Sequence, residues 1–229
     1  PGRRGAAGRA GHPASYDTVE QLRRDTAAIP GAQAKVGGTV ASDLDLKQAQ
    51  QRDRSLIIPL ILVLVALVLV ALLRALLAPL LLMLTVVASY FASLGASWLL
   101  FRSPLFDFPA LDESVLLLSF LFLVALGVDY NIFLVTRARE EAAGSDTRAG
   151  MLTALRVTGG VITSAGVLLA AVFAVLGVLP LLVLTQIGVI VGVGVLLDTL
   201  LVRTVIVPAL AFTLGDRFWW PTRKPSLRG

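Results

Sequence analysis

The sequence predicts an all-α polytopic membrane protein: five membrane-spanning helices preceded by a polar N-terminal segment. Three observations carry this prediction. Hydrophobic residues make up 56% of the 229 residues and charged residues only 15%, against about 25% charged in an ordinary soluble domain. Mean hydropathy is +0.83. The apolar residues form five runs, each near the roughly 20 residues a helix needs to cross a hydrocarbon core about 30 Å thick. Charges avoid those runs: 15 of the 35 lie in residues 1–55, and most of the others fall between the runs. Such a chain is neither a soluble globule, which needs a polar coat, nor disordered, which would require few apolar residues. With no cysteine, it has no disulfide framework, thiolate metal site or cysteine nucleophile.

Taken in order, residues 1–15 are rich in Gly, Ala, Arg and Pro and read as a disordered stretch. The chain starts with Pro rather than Met and shows no signal peptide, so it reads as a fragment. Residues 16–29 predict a short helix capped by Asp17, with Val19, Leu22 and Ala27 on roughly one face. Pro30-Gly31 turns into a short strand, Ala34 to Val36, ended by Gly37-Gly38; residues 40–55 read as a polar helix entering the membrane. One helix and one strand cannot bury an independent core, so residues 16–55 are expected to be the tail of a larger domain.

The spans follow at about 56–73, 75–101, 115–136, 160–179 and 186–213, and a tail occupies 215–229. Arg74-Ala75 is too short for anything but an antiparallel hairpin between the first two. Orientation follows from Lys and Arg in short loops. The links after spans one, three and five carry Arg74, then Arg137, Arg139, Arg148 and Arg156, then Arg217, Arg223, Lys224 and Arg228; the others carry only Arg102, with Asp107, Asp112 and Glu113. The basic side and the C-terminus are therefore expected in the cytoplasm and the N-terminal segment outside. The net charge of +5 is a topology signal, and no nucleic-acid partner is expected. Trp219-Trp220 and Trp98 fit interfacial belts. The stretch from Thr147, with Met151, Leu152 and Leu155, is amphipathic and reads as lying on the membrane surface.

Ionisable groups at membrane depth are expensive and mark function. Asp129 lies about 21 Å, and Asp198 about 18 Å, from the outer ends of their spans at helical rise. Asp129-Tyr130-Asn131 covers an arc of about 200° at about 100° per residue, so this helix is expected to be surrounded by protein. A carboxylate there is held toward its neutral form and can load and release protons, with the Tyr130 hydroxyl donating to it or bridging to another carboxylate. The only histidine, His12, lies far from any span, which excludes a histidine relay. Arg203 stands five residues after Asp198, about 140° around an α-helix; that geometry gives no ideal pair, and Arg203 is expected to snorkel toward the interface or pair across helices. Thr163 and Ser164 either only pack or offer hydroxyls to Asp129. The small-residue series Gly160/Ser164, Gly166/Ala170/Ala174 and Gly188/Gly192 predict close helix packing.

Three motifs resemble a known family. Ala125 to Glu141 (ALGVDYNIFLVTRAREE) is similar to the signature helix of the MMPL family, a branch of the resistance-nodulation-division (RND) superfamily. Thr158 to Ala174 (TGGVITSAGVLLAAVFA) and Gly192 to Leu210 (GVGVLLDTLLVRTVIVPAL), followed by Trp219-Trp220-Pro221, match in order, and Val36 to Pro59 resembles the end of that family's porter domain. The resemblance covers the chain from about residue 16. It implies an RND-type bundle over 56–214, a partial extracytoplasmic porter segment over 16–55, and proton-driven export of lipids or other hydrophobic compounds. Asp129 and Tyr130 would be this half's proton-relay motif, with Asn131, Thr163, Ser164, Asp198 and Arg203 in supporting positions. The implied partners are membrane lipids, a hydrophobic substrate and the transporter's N-terminal half, with a homo-oligomer left open; the proton gradient is the energy source, and no cofactor or metal is expected. Two other classes are compatible with these residues: a non-transporting sensing or assembly domain of the superfamily, and an intramembrane aspartyl protease using Asp129 and Asp198. The protease is disfavoured because Val-Leu-Leu precedes Asp198 and the family motifs account for both residues.

Overall fold

A computed structural model of the chain describes residues 13–222 apart from residues 30, 32, 33, 105, 107, 109 and 145. All regular structure among the described residues is helical. The chain divides into two compact units, Pro1–Ile57 and Ile58–Gly229.

The first unit contains α1 (Pro13–Ala27) and the beginning of α2 (Thr39–Leu73). Val19 of α1 packs with Ala41 and Leu44 of α2, and Tyr16, Val36 and Val40 close over them. Arg23 reaches both carboxylate oxygens of Asp45, at 2.5 and 2.8 Å, Gln48 donates to Glu20 at 3.1 Å, and Lys47 lies over the Tyr16 ring. Exposed pairs of this kind contribute about 1 kcal/mol or less, so the three buried side chains set the register. Two expectations are corrected here. Residues 13–15 are the first turn of α1 rather than part of a disordered stretch, whose residues 1–12 lie outside the described residues. Ala34 to Val36 is irregular: an isolated extended segment has no ladder partner, and Val36 instead packs on the helix pair. The polar lead-in and the first span are one helix, with Pro59 inside it.

The second unit is the bundle: the rest of α2, α3 (Leu77–Phe101), α4 (Glu113–Ala142), α5 (Thr147–Leu176), and a last span that runs as α6 (Leu182–Leu197), a π-helical segment (Asp198–Ile206), α7 (Val207–Leu214) and a 3-10 turn (Gly215–Trp219). Among the described residues five helical stretches, from Thr39–Leu73 to Leu182–Trp219, are long and apolar enough to cross a membrane. Exposure fits that solvent: Leu60, Val63, Leu64 and Leu67 of α2 and Leu168, Val172 and Val175 of α5 face outward, while Ser93, Ser97, Ser119 and Gln186 are buried. At one end Asp112 caps α4 by accepting from Ser114 N at 2.9 Å. Gln186 ties the same link down, its Nε2 donating to Ala110 O and its Oε1 accepting from Asp112 N.

The fourth span starts earlier than the hydropathy indicated. Asp146 accepts from Ala149 N and caps α5 at Thr147, so the amphipathic stretch is the beginning of that helix and does not lie on the membrane surface. Met151 and Ala154 are fully buried. A Cβ on Gly150 would stand 2.6–2.8 Å from the backbone of Ala138 and Ala142, so the α4–α5 hairpin closes backbone to backbone. Gly188 plays the same part between α5 and α6: a Cβ there would lie 2.6 Å from Phe173 O and 2.7 Å from Gly177 N. Gly188→Ala is expected to lower stability by about 1–3 kcal/mol, read by unfolding in detergent; unchanged unfolding would mean that the two helices can separate at no cost.

Candidate functional site

The polar residues of the last span are organised by a change of helical winding. From Asp198 to Ile206 the backbone is π-helical, with bonds from i to i+5, so residues five apart come into line. Asp198 and Arg203, which an α-helix would hold about 140° apart, form an ion pair at 2.5 Å. Both are buried, at 6% and 2% exposure. Arg203 therefore does not snorkel to the interface: its partner lies on its own helix, within the bundle. Space is made by two glycines. A Cβ on Gly127 of α4 would come within 3.8 Å of Asp198 Oδ1, and one on Gly166 of α5 would be 2.8–3.0 Å from Thr199 side-chain carbons. Gly127 stands half a turn from Asp129, so the two aspartates do lie at similar depth, as expected from their positions in the spans.

The triplet on α4 turns from outside to inside. Asp129 is exposed, Tyr130 is half-buried and Asn131 is fully buried. Tyr130 presents its ring to Arg203, whose guanidinium carbon is 4.6 Å from the ring centroid. This contact is a cation–π pair, made by the ring; among the described residues no hydrogen bond joins the Tyr130 hydroxyl to Asp129. Asp129 follows Leu121, Phe122 and Ala125 on the outward face and precedes Phe133. The expectation that protein surrounds this helix is not met within the chain, because α5, α6 and α3 cover only its other side. The site therefore has two parts: a buried Asp198–Arg203–Tyr130 cluster and a carboxylate outside it on an apolar face.

The cluster has unused hydrogen-bonding capacity. Arg203 Nε and Nη1 and both amide atoms of Asn131 are buried without partners, where almost every buried polar atom is normally paired. Thr163 is half-buried and Ser164 exposed; the Ser164 hydroxyl donates to Val161 O at 2.9 Å. With Gly150 seated between Ala138 and Ala142, the antiparallel register puts residues near 159–163 level with Asp129. Among the described residues no hydrogen bond joins Thr163 or Ser164 to Asp129. They line an open recess of about 780 Å³ with Gly159, Gly160, Val167 and Ala171. No group of acidic or histidine side chains able to hold a metal occurs among the described residues.

The helix carrying Asp129 and Tyr130, the small-residue helix beside it and the Asp198–Arg203 span lie within residues 4–228, which match the family model described as "MMPL family". The chain belongs to the MMPL family. Individual relatives match about nine-tenths of the chain. A membrane protein of Streptomyces coelicolor is 52% identical over 210 residues, covering 92% of this chain and 30% of that protein. The apo-petrobactin exporter of Bacillus anthracis is 42% identical over 211 residues, covering 91% and 28%. An acyltrehalose exporter of Mycobacterium tuberculosis is 40% identical over 205 residues, covering 90% and 20%. The chain thus spans under a third of the length of these curated relatives. With five apolar helices, it is a multi-pass membrane protein.

Proposed function

We propose that this chain is the C-terminal part of a proton-driven exporter of lipids or other hydrophobic compounds, and that Asp129 carries the coupling proton. The observation that carries the reading is the placement of Asp129. A carboxylate at mid-span on an apolar face is costly when ionised, yet it adjoins Tyr130, which touches a buried cation. In the neutral form Asp129 tolerates the apolar face. Once ionised it is drawn toward the open Nε and Nη1 donors of Arg203, competing with Asp198. Proton gain and loss would then bias α4 between two positions against the last span, the minimum that coupling requires. The exposed Asp129 face and the recess beside Thr163 and Ser164 are where the transporter's other half would pack. Two exporters among the relatives handle, by name, apo-petrobactin and acyltrehalose, which supports a hydrophobic or amphiphilic substrate here. The basic end, with Arg74, Arg139, Arg148 and Arg217, would face the cytoplasm.

The test uses inverted membrane vesicles containing the protein at its natural full length, a fluorescent long-chain acyl lipid, and an imposed pH gradient. Uptake should require the gradient and stop on addition of a protonophore. Uptake that continues after the gradient has collapsed would overturn the reading.

A further inference from the structure

The π-helical winding that brings Asp198 and Arg203 together needs a cause. The segment is nine residues long, whereas π-helix occurs mostly as single-turn bulges within α-helices. The ion pair favours the winding but also depends on it. A second cause stands at the end of the segment. The bonding from i to i+5 runs as far as Val207, whose N–H donates to Val202 O. The next residue is Pro208, buried in the first turn of α7.

An unbroken α-helix cannot hold a proline there without loss. Pro208 has no N–H to give to Thr204 O, and in α winding its ring would meet that same carbonyl, four residues back. Within a membrane, hydroxyl side chains and local π winding are the usual ways in which a span accommodates such a break. Both are present here. The Thr204 hydroxyl donates to Leu200 O, a back-bond of the kind that bends helices, and the wider π turn makes room for the ring. The span is also tied down on either side of the segment. At its start Gln186 bonds to Ala110 and Asp112. At its end the Thr147 hydroxyl donates to Asp216 at 2.7 Å. Trp219, buried rather than lying in an interfacial belt, donates its indole N–H to Thr147 Oγ1 at 3.2 Å. With both ends anchored, the winding between them decides which way Arg203 faces.

We infer that Pro208 is a positioning residue for the buried cluster. It holds Asp198–Ile206 in π winding, and so sets Arg203 against Asp198 and against the Tyr130 ring. It acts through the backbone, five residues beyond the cation it places. This inference is independent of the proton-coupled reading, because it concerns the helix and its ion pair whatever crosses the membrane.

The test separates the proline from the ion pair as the cause of the winding. Its first arm is electron cryomicroscopy of the protein at its natural full length. Asp198→Leu with Arg203→Met removes both charges and leaves Pro208, and the segment should stay π-helical. Adding Pro208→Ala to these two substitutions should return it to bonding from i to i+4. A segment that is already α-helical with Pro208 in place, or still π-helical without it, would overturn the inference. The second arm is a double-mutant cycle of Asp198→Leu and Arg203→Met, read by unfolding in detergent. Pro208→Ala should weaken the coupling between the two positions about tenfold, because the pair must then hold the winding unaided. Pro208→Val also restores the N–H while filling more of the ring's space, and should weaken the coupling equally, which a mere loss of packing would not do. Unchanged coupling in either variant would overturn the inference as well.

Discussion

Asp129→Asn in the protein at its natural full length is expected to reduce gradient-driven export to background while leaving the protein inserted and folded. The expectation follows from where the residue lies. Its side chain is exposed on the apolar face of α4, with no hydrogen bond among the described residues to lose, so substitution should leave the stability of the bundle nearly unchanged. What it removes is the ability to change charge at that depth. Asp129→Glu keeps a titratable group one methylene further out and should retain a measurable fraction of transport. The pair separates a proton carrier from a structural polar group: a structural role would be served by the amide at least as well as by glutamate. Export assays with protein level and insertion measured in parallel check it. Full activity of the Asn variant would end the relay role.

Arg203→Met should act in the opposite way, through stability first. It leaves the Asp198 carboxylate buried and unpaired, and breaking one side of a buried pair costs about 3–5 kcal/mol. It also removes the cation from the Tyr130 ring. The double substitution Asp198→Leu with Arg203→Met should recover most of the lost stability, since a buried pair replaced as a whole by apolar groups is often neutral, but should not recover export. Unfolding of the two variants in detergent, with a transport assay on each, checks both halves. A single-variant loss below about 1 kcal/mol would place the pair in a water-accessible setting, as exposed pairs are.

Much of the bundle was legible in the sequence because hydrophobic length has one reading when it reaches about 20 residues. Arg74, Arg102 and Pro180 mark ends that the helices respect to within a few residues. Boundaries failed where polar residues belonged to a helix. The start of α5 was hidden by charge, although Ala138/Ala142 and Gly150/Ala154 are small pairs four apart on either side of the turn, the signature of a tight hairpin. Asp129-Tyr130-Asn131 was visible as a polar arc, but which part of the arc faced inward was not, since that depends on which neighbours cover α4. The Asp198–Arg203 pair was the least legible. Its spacing of five is wrong for an α-helix, and only the π-helical winding makes it right. Two opposite charges five apart in an otherwise apolar run would have been the clue, because neither could be buried alone. The contact of Arg139 with the buried Trp219 ring was masked by ordinary signals, positive loops and aromatic belts, which say on which side a residue lies and nothing about what it touches.

The central claim is that protons move with substrate through a step that Asp129 carries. It is tested most directly in proteoliposomes that contain the natural full-length protein, a trapped pH-sensitive dye and a fluorescent long-chain acyl lipid. Adding the lipid should drive proton movement across the membrane in the wild type and none in the Asp129→Asn variant. Lipid transport without any accompanying proton movement, or equal proton movement in the two proteins, would contradict it.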